Sequence, residues 1–117
     1  MFLELGHTKL EVYTLSRKLA VACYNLTKDF PSDERFAMVQ QIRRAAISVH
    51  LNIAEGSSRK SEVERKRYFE IARSSVIEID AALDVASDLG YCQKDKMSEL
   101  GSHMIQCFKY LTGLIKA

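Results

Sequence analysis

Residues 39–56 of the chain read VQQIRRAAISVHLNIAEG, and this stretch carries the clearest sign of the fold. Its apolar residues recur every three or four positions, which is the spacing of one face of an α-helix. The residues of this face are Val39, Ile42, Ala46, Val49 and Ile53. The stretch therefore predicts a helix that packs one side against a core.

The same helix has a second apolar strip elsewhere on its circumference, formed by Phe36, Ile47, Leu51 and Ala54. A helix with two apolar sides either lies deep inside one small bundle or packs against another subunit. We expect the second arrangement, with Phe36, Ile47 and Leu51 at an oligomer interface.

Outside this stretch, three more segments show helical periodicity. No segment shows the alternation of apolar and polar residues that is typical of a strand. The predicted helices cover residues 8–29, 33–55, 61–89 and 93–115. Their connections are short, so neighbouring helices should be antiparallel. The sequence therefore predicts a single all-α domain over residues 1–117, an antiparallel up-down-up-down four-helix bundle.

Start and stop signals set these boundaries. Residues 8–11 and 61–64 both match the capping box, in which a hydroxyl and a carboxylate satisfy end amides. Residues 31–34, Pro-Ser-Asp-Glu, predict a cap and an acidic first turn for the second helix. Gly56 predicts a break after that helix, and Gly90 predicts a left-handed C-cap after the third.

Composition bounds the class of protein. The chain has 117 residues, 47% of them hydrophobic and 27% charged, with a formal net charge of +2, which excludes wholesale disorder. Its start lacks the pattern of a signal peptide, and no apolar run is long enough to span a membrane. Its three cysteines are widely spaced, which favours reduced, buried thiols. We expect a cytoplasmic protein with no membrane partner.

Catalytic and metal-binding motifs are missing from the sequence. His7, His50 and His103 lie in three segments without cysteine at ligand spacing, and there is no phosphate-binding loop or nucleophile elbow. A polar line does run along the second helix beside Arg44, and it contains Gln41, Ser48, Asn52 and Glu55. We interpret that line as a structural network. We expect no enzyme activity, no cofactor and no metal.

Charge is concentrated in residues 43–73, which hold eight basic and four acidic side chains. The basic residues are Arg43, Arg44, Arg59, Lys60, Arg65, Lys66, Arg67 and Arg73. Such a cluster could hold phosphates through guanidinium forks and helix-end amides. Alternatively it is a solvated helix face with ion pairs four residues apart. We expect Arg43, Arg44 and Arg73 to be the more buried members.

A family resemblance adds to this interpretation. Residues 41–49 (QIRRAAISV), residues 52–56 (NIAEG) and Arg59 resemble the signature of the 23S ribosomal RNA intervening-sequence proteins. The resemblance implies a bacterial four-helix bundle. The chain is also similar to the accessory protein of diversity-generating retroelements, which implies a basic pentamer that engages nucleic acid and a reverse transcriptase. His50 stands where members commonly carry proline, and Ser74 where glycine is common.

Together these observations predict a non-enzymatic homo-oligomer, a pentamer by resemblance, that binds structured RNA or other nucleic acid. Binding would occur on the basic surface around the turn between the second and third helices. In the absence of an aromatic platform we expect contacts to the backbone and to shape, with low sequence specificity. The alternative is a protein-interaction scaffold that recruits a partner such as a reverse transcriptase or a ribosome-associated factor.

Overall fold

The computed structural model describes residues 2–3, 5–6 and 10–117, and within them it contains four α-helices and no strand. Two short 3-10 turns, Ser32–Glu34 and Lys94–Met97, precede the second and fourth helices. The helices are α1, Glu11–Thr27; α2, Met38–Ser57; α3, Glu62–Asp88; and α4, Ser98–Lys116.

The four helices enclose one hydrophobic core, as in a four-helix bundle. Going round it, α2 packs on α1 and α3, and α4 packs on α3 and α1. Each helix places one apolar stripe inward, and burial of each large side chain contributes about 1.5–3 kcal/mol. The largest fully buried hydrophobic residues are Leu19, Ile42, Ile53, Ile79 and Leu111.

The α1 helix begins later than its predicted start at residue 8. Its first residue is Glu11, and its N-cap is Leu10, whose side chain forms no capping hydrogen bond. The predicted cap, Thr8, lies outside the described residues. The apolar stripe was the better guide, because Val12 and Leu19 are fully buried.

The predicted start of α2 at residue 33 is wrong. Ser32–Glu34 forms a separate 3-10 turn, and Ala37 interrupts the chain with φ −121° and ψ −98° before the helix begins at Met38. The acidic turn has another partner, since Glu34 Oε2 accepts a hydrogen bond of 2.8 Å from the Tyr91 hydroxyl. This contact attaches the turn to the connection between α3 and α4.

The boundaries of α3 are close to the prediction because both ends are capped locally. Ser61 is the N-cap, and its Oγ accepts a hydrogen bond from the Glu64 amide at 3.3 Å. At the other end Gly90 has φ +78°, which only glycine adopts without strain. The Tyr91 amide then donates to the Ala86 carbonyl at 2.9 Å, which completes a Schellman cap.

Two expectations from the sequence concern the state of the cysteines and the presence of membrane-spanning segments. Cys23, Cys92 and Cys107 are free and buried, as predicted. Burial raises the pKa of the Cys23 and Cys107 thiols to about 12. Within residues 10–117, none of the helices combines the length and the apolar character that a membrane span requires.

Candidate nucleic-acid interface

The turn between α2 and α3 is four residues long and is held by local hydrogen bonds. Ser58 donates both its amide and its hydroxyl to the Glu55 carbonyl, at 3.1 and 2.8 Å. Ser57 donates its hydroxyl to the Ile53 carbonyl at 2.7 Å. The bonds from Ser58 satisfy a carbonyl in the last turn of α2 that has no partner within the helix. The backbone of the turn is therefore well defined.

Gly56 lies inside α2 and is buried, so the predicted helix break at this position is wrong. A Cβ atom here would come within 2.9 Å of Phe69 Cε1 and 3.0 Å of Tyr68 Cβ. Gly56 therefore allows the end of α2 to approach the first half of α3 closely. Close approach, and not termination of the helix, explains the glycine.

Arg59 is bound within the turn. Its Nη2 is 2.8 Å from Glu55 Oε2 and donates to the Tyr68 hydroxyl at 3.1 Å. Its guanidinium also lies 5.0 Å from the Tyr68 ring centroid, a cation–π contact. The Arg59 Nε is buried and has no hydrogen-bond partner among the described residues. Arg59 thus fastens the turn to α3 while part of its guanidinium stays solvated.

Two further basic residues of α3 are also engaged. Arg65 donates its Nη1 to the carbonyls of Arg59 and Lys60, at 3.2 and 2.8 Å. Lys66 lies 3.1 Å from Glu62 and also donates to the Ala117 carbonyl at 3.1 Å. The hydrogen bond from Lys66 and its charge lower the pKa of Glu62. For Lys66, the structure therefore agrees with the alternative of an ion pair between side chains four residues apart.

Lys60 and Arg67 are exposed, and neither forms an ion pair or side-chain hydrogen bond with the part of the chain that the structure describes. Lys60 lies in the turn and Arg67 in the second turn of α3. Their charge is available to a ligand without breaking an internal contact. They are the strongest candidates for phosphate contacts at this end of the molecule.

The remaining three arginines lie away from the turn. Arg43 donates to the Thr27 hydroxyl at 2.8 Å and stacks 4.7 Å from the Tyr24 ring centroid. Arg73 donates to the Thr112 hydroxyl at 3.3 Å. Both are half-buried, as expected, but Arg44 is exposed, so its predicted burial is wrong. The eight basic residues thus form no single continuous patch of free charge.

The polar line on α2 divides into two cross-links to α3, one bond within α2 and one ion pair with the turn. Gln41 donates to Glu78 near the start of α2. In the middle, Ser48 Oγ lies 2.9 Å from the Ser75 hydroxyl. Asn52 donates to the carbonyl and the hydroxyl of Ser48, at 2.8 and 3.1 Å. With the Glu55–Arg59 ion pair, all four residues of the proposed network have polar partners, although the groups are not joined into one chain.

The second apolar strip predicted for the second helix is largely exposed, although Phe36 lies before α2 and Ala54 packs against the core. Phe36 is 82% exposed, Leu51 55% and Ile47 37%. Together with Tyr24 of α1 these residues form the α1–α2 face. A groove of about 740 Å³ runs along this face, and Arg35, Arg43 and Arg44 border it.

Two contacts were not anticipated from the sequence. The buried Ser16 hydroxyl donates to the Tyr13 carbonyl at 2.9 Å and lies 2.7 Å from His50 Nδ1. The His50 ring also packs 4.4 Å from the Tyr13 ring centroid. The sequence places Ser16 on the inner side of α1, but its partner, His50, lies 34 residues away in the chain. His50 is thereby placed between α1 and α2.

The histidine and acidic side chains can be compared with the ligand sets of metal sites. Across residues 2–3, 5–6 and 10–117, no three histidine, cysteine or acidic side chains are close enough to hold an ion. His103 Nε2 lies 3.7 Å from Glu99, and its Nδ1 is buried without a partner among the described residues. That pair alone is too small a ligand set for a structural metal site.

The fold and the cross-linked second and third helices define a small all-helical bundle protein. The chain belongs to the 23S rRNA-intervening sequence protein family, whose family model matches residues 8–113. It is similar in fold to the crystal structure of a protein of unknown function from the S23 ribosomal protein family of Bacteroides thetaiotaomicron. The TM-score is 0.82 and the identity 24%, over 91% of this chain and 96% of the other. A comparison with curated proteins gives no match.

Proposed function

We propose that this protein binds structured RNA or other nucleic acid through the basic surface at the α2–α3 turn, without enzyme activity of its own. The observation that carries the proposal is a pair of exposed cations without an ion-pair partner among the described residues, Lys60 on a turn whose backbone is fixed and Arg67 in the second helical turn of α3. A family named for 23S rRNA supports RNA as the first ligand to test. The proposed location is the cytoplasm.

The engaged arginines support this site by positioning it. Arg65 Nη1 binds the two carbonyls of the turn, which holds Lys60 near the N-terminus of α3. The amides of a helix N-terminus attract anions, and the cap from Ser61 satisfies only one of them. A phosphate at the N-terminus of α3 would meet its amides and Lys60, and Arg67 in the next helical turn would add positive charge. Because no aromatic ring is free there, the contacts would be to backbone and shape.

We infer that the four helices alternate in direction. The α2–α3 turn, the start of α1 and the end of α4 then lie at the same end of the bundle. Side-chain pairs support this arrangement. Arg43, early in α2, binds Thr27 at the end of α1, whereas His50 lies beside Ser16 earlier in α1. Along the next pair of helices, Gln41 binds Glu78 and Gly56 packs on Phe69. Residue numbers rise on one helix as they fall on its neighbour.

Self-association is part of the proposal. The α1–α2 face exposes Phe36, Ile47 and Leu51 in one patch, and such a patch on a small soluble bundle is typical of an interface. A ring of subunits would repeat the basic turn and multiply its charge. The family resemblance supports five subunits, and the stoichiometry is open to direct measurement.

The experiment is fluorescence anisotropy of labelled structured RNA and of duplex DNA, titrated with protein at several salt concentrations. Each neutralised phosphate steepens the dependence of log K on log salt by about 0.7–0.9. The double variant Lys60→Glu, Arg67→Glu should lose binding at moderate salt and flatten that slope. The double variant Lys60→Glu, Lys66→Glu should weaken binding less than Lys60→Glu, Arg67→Glu does. Replacing Lys66 also breaks its contact with Glu62.

The matched control is Lys94→Glu, Lys96→Glu, which makes the same charge change at two exposed lysines outside residues 43–73. It should bind like the wild type. Equal losses in both double variants would mean that only overall charge matters, and the site at the turn would be wrong. No anisotropy change with wild-type protein at low salt would contradict nucleic-acid binding altogether.

A second candidate function is a protein-interaction scaffold, and the exposed α1–α2 face favours it. Under this alternative the protein recruits a partner such as a reverse transcriptase or a ribosome-associated factor, and nucleic-acid binding is incidental. Lys60→Glu, Arg67→Glu would then leave partner recruitment intact, whereas Leu51→Glu would abolish it.

A further inference from the structure

A second exposed apolar surface lies on the other side of the bundle. A groove of about 310 Å³ runs between α3 and α4. Ile77 is 54% exposed, Ile105 58% and Phe108 38%. With Asp80, which also lines the groove, and Asp84, one turn further along α3, these residues form the α3–α4 face. Side chains of this size and exposure contribute little to the core of their own chain.

The charge of this face is negative on α3. Residues 74–91 contain Glu78, Asp80, Asp84 and Asp88 and no basic residue. Asp80, Asp84 and Asp88 are exposed, and at 100° per residue they lie on the same side of the helix as Ile77. Arg73, one turn before Ile77 on the same face, places its guanidinium over Phe108 and donates to Thr112. The negative charge of this face therefore lies beyond Arg73, at Asp80, Asp84 and Asp88. The acidic side chains thus form a row beside the exposed isoleucine.

The α1–α2 face has the opposite charge. Its 740 Å³ groove adjoins a second groove of about 450 Å³. Two residues line both grooves: Ile47, and Tyr24, on which Arg43 stacks. No acidic residue lines either groove. The basic residues that line them are Arg17, Lys28, Arg35, Arg43 and Arg44. This face therefore combines exposed apolar side chains with uncompensated positive charge.

We propose that the α1–α2 face of one copy docks on the α3–α4 face of a second copy. This inference rests on the proposed self-association and names both sides of the contact. Because α1 packs on α2 and α3 packs on α4, the two faces lie on opposite sides of the bundle. Each offers apolar side chains that need cover, and their charges are complementary.

A contact between two different faces is heterologous, so each copy keeps one unused face after the first contact. The assembly therefore continues into a closed ring of more than two subunits or an open filament. A two-fold dimer through the α1–α2 face alone would bring Arg35 and Arg44 of both copies together, and like charges oppose such a contact.

The test is light scattering coupled to size exclusion on the full chain, whose monomer mass is 13.3 kDa. Two charge-reversal variants are compared, Arg35→Glu, Arg44→Glu on one face and Asp80→Lys, Asp84→Lys on the other. All four side chains are exposed, so the fold should be retained, which circular dichroism checks. Each variant alone should elute as a monomer. Mixed in equal amounts, they should associate into alternating species larger than either monomer, because the α1–α2 face of each variant is then complementary to the α3–α4 face of the other.

Matched controls carry the same reversals on the first half of α3 and the turn: Lys60→Glu, Arg67→Glu and Glu64→Lys, Glu70→Lys. Both should assemble like the wild type. If the Asp80, Asp84 variant also assembles normally, the α3–α4 face is not the partner surface and this inference is overturned, while self-association stands. If the wild type is a monomer at about 100 µM, self-association itself is wrong, whatever the anisotropy measurement shows.

Discussion

The two sides of α2 differ in how completely the chain satisfies them. On one side lies the α2–α3 seam, where Gln41, Ser48 and Gly56 meet Glu78, Ser75 and Phe69. On the other lies the α1–α2 face, where Phe36 and Leu51 are more than half exposed. The difference teaches that the seam is completed within this chain, whereas the α1–α2 face leaves large apolar side chains exposed, which is what the proposed self-association would cover.

The largest expected effect contrasts two residues of α2 that are two positions apart. Ile53 is fully buried, and Ile53→Ala removes buried methylenes and leaves a cavity, so we expect a loss of about 3 kcal/mol in the free energy of unfolding. Leu51→Ala should cost less than about 0.5 kcal/mol in the monomer because its side chain is 55% exposed. Urea unfolding at low protein concentration measures both. Equal losses would show that the two sides of α2 are not distinct.

A glycine pair gives the next largest contrast. Gly56→Ala places a methyl group 2.9 Å from the Phe69 ring, and overpacking of this kind costs about 1–3 kcal/mol. Gly101→Ala in α4 meets no atom within 4 Å, so we expect it to stabilise the protein by about 0.5–1 kcal/mol. Thermal unfolding should therefore shift in opposite directions. If Gly56→Ala stabilises the protein instead, the α2–α3 seam has space for an additional methyl group.

The hydroxyl pair of the seam should show coupling. Ser48→Ala and Ser75→Ala each remove one partner of the 2.9 Å contact, and we expect each to cost about 1 kcal/mol. The double variant should cost less than the sum, with a coupling energy of about 0.5 kcal/mol or more. A double-mutant cycle by urea unfolding measures this. Additive losses would indicate that the two hydroxyls act independently.

The smallest effect is a labelling rate on the α1–α2 face. At pH 8 a Leu51→Cys thiol should react readily with a thiol reagent in dilute protein. The native Cys23 and Cys107 should not, because their pKa of about 12 keeps them protonated and their side chains are buried. The rate at residue 51 should fall as protein concentration rises and the face is covered. A rate independent of concentration would argue against self-association through this face.

The sequence predicted what depends on neighbours along the chain. The ends of α3 follow from Ser61 and Gly90, which act within a few residues, and the core follows from helical periodicity. The start of α2 was missed because an acidic Ser-Asp-Glu segment suits a 3-10 turn as well as a helical first turn. Its actual role, binding Tyr91 through Glu34, joins residues 57 apart. No local pattern reports such a contact.

The candidate site shows the same division. The basic residues of the turn could be counted from the sequence, but how many of them are free could not. Arg65 binds the backbone of the turn and Arg59 binds Tyr68 only because the turn has its particular shape. The exposure of Arg44 likewise depends on which side of α2 the rest of the bundle covers.

The short turn between Ser57 and Glu62 also bears on how the chain folds. Closing a four-residue loop costs little entropy, and the contacts it brings together at Gly56, Tyr68 and Phe69 are close in sequence. We therefore expect the α2–α3 hairpin to form early and to act as the template on which α1 and α4 later dock. Substitutions in the seam near this turn would then slow folding, whereas those at the exposed end of α2 would leave the folding rate unchanged.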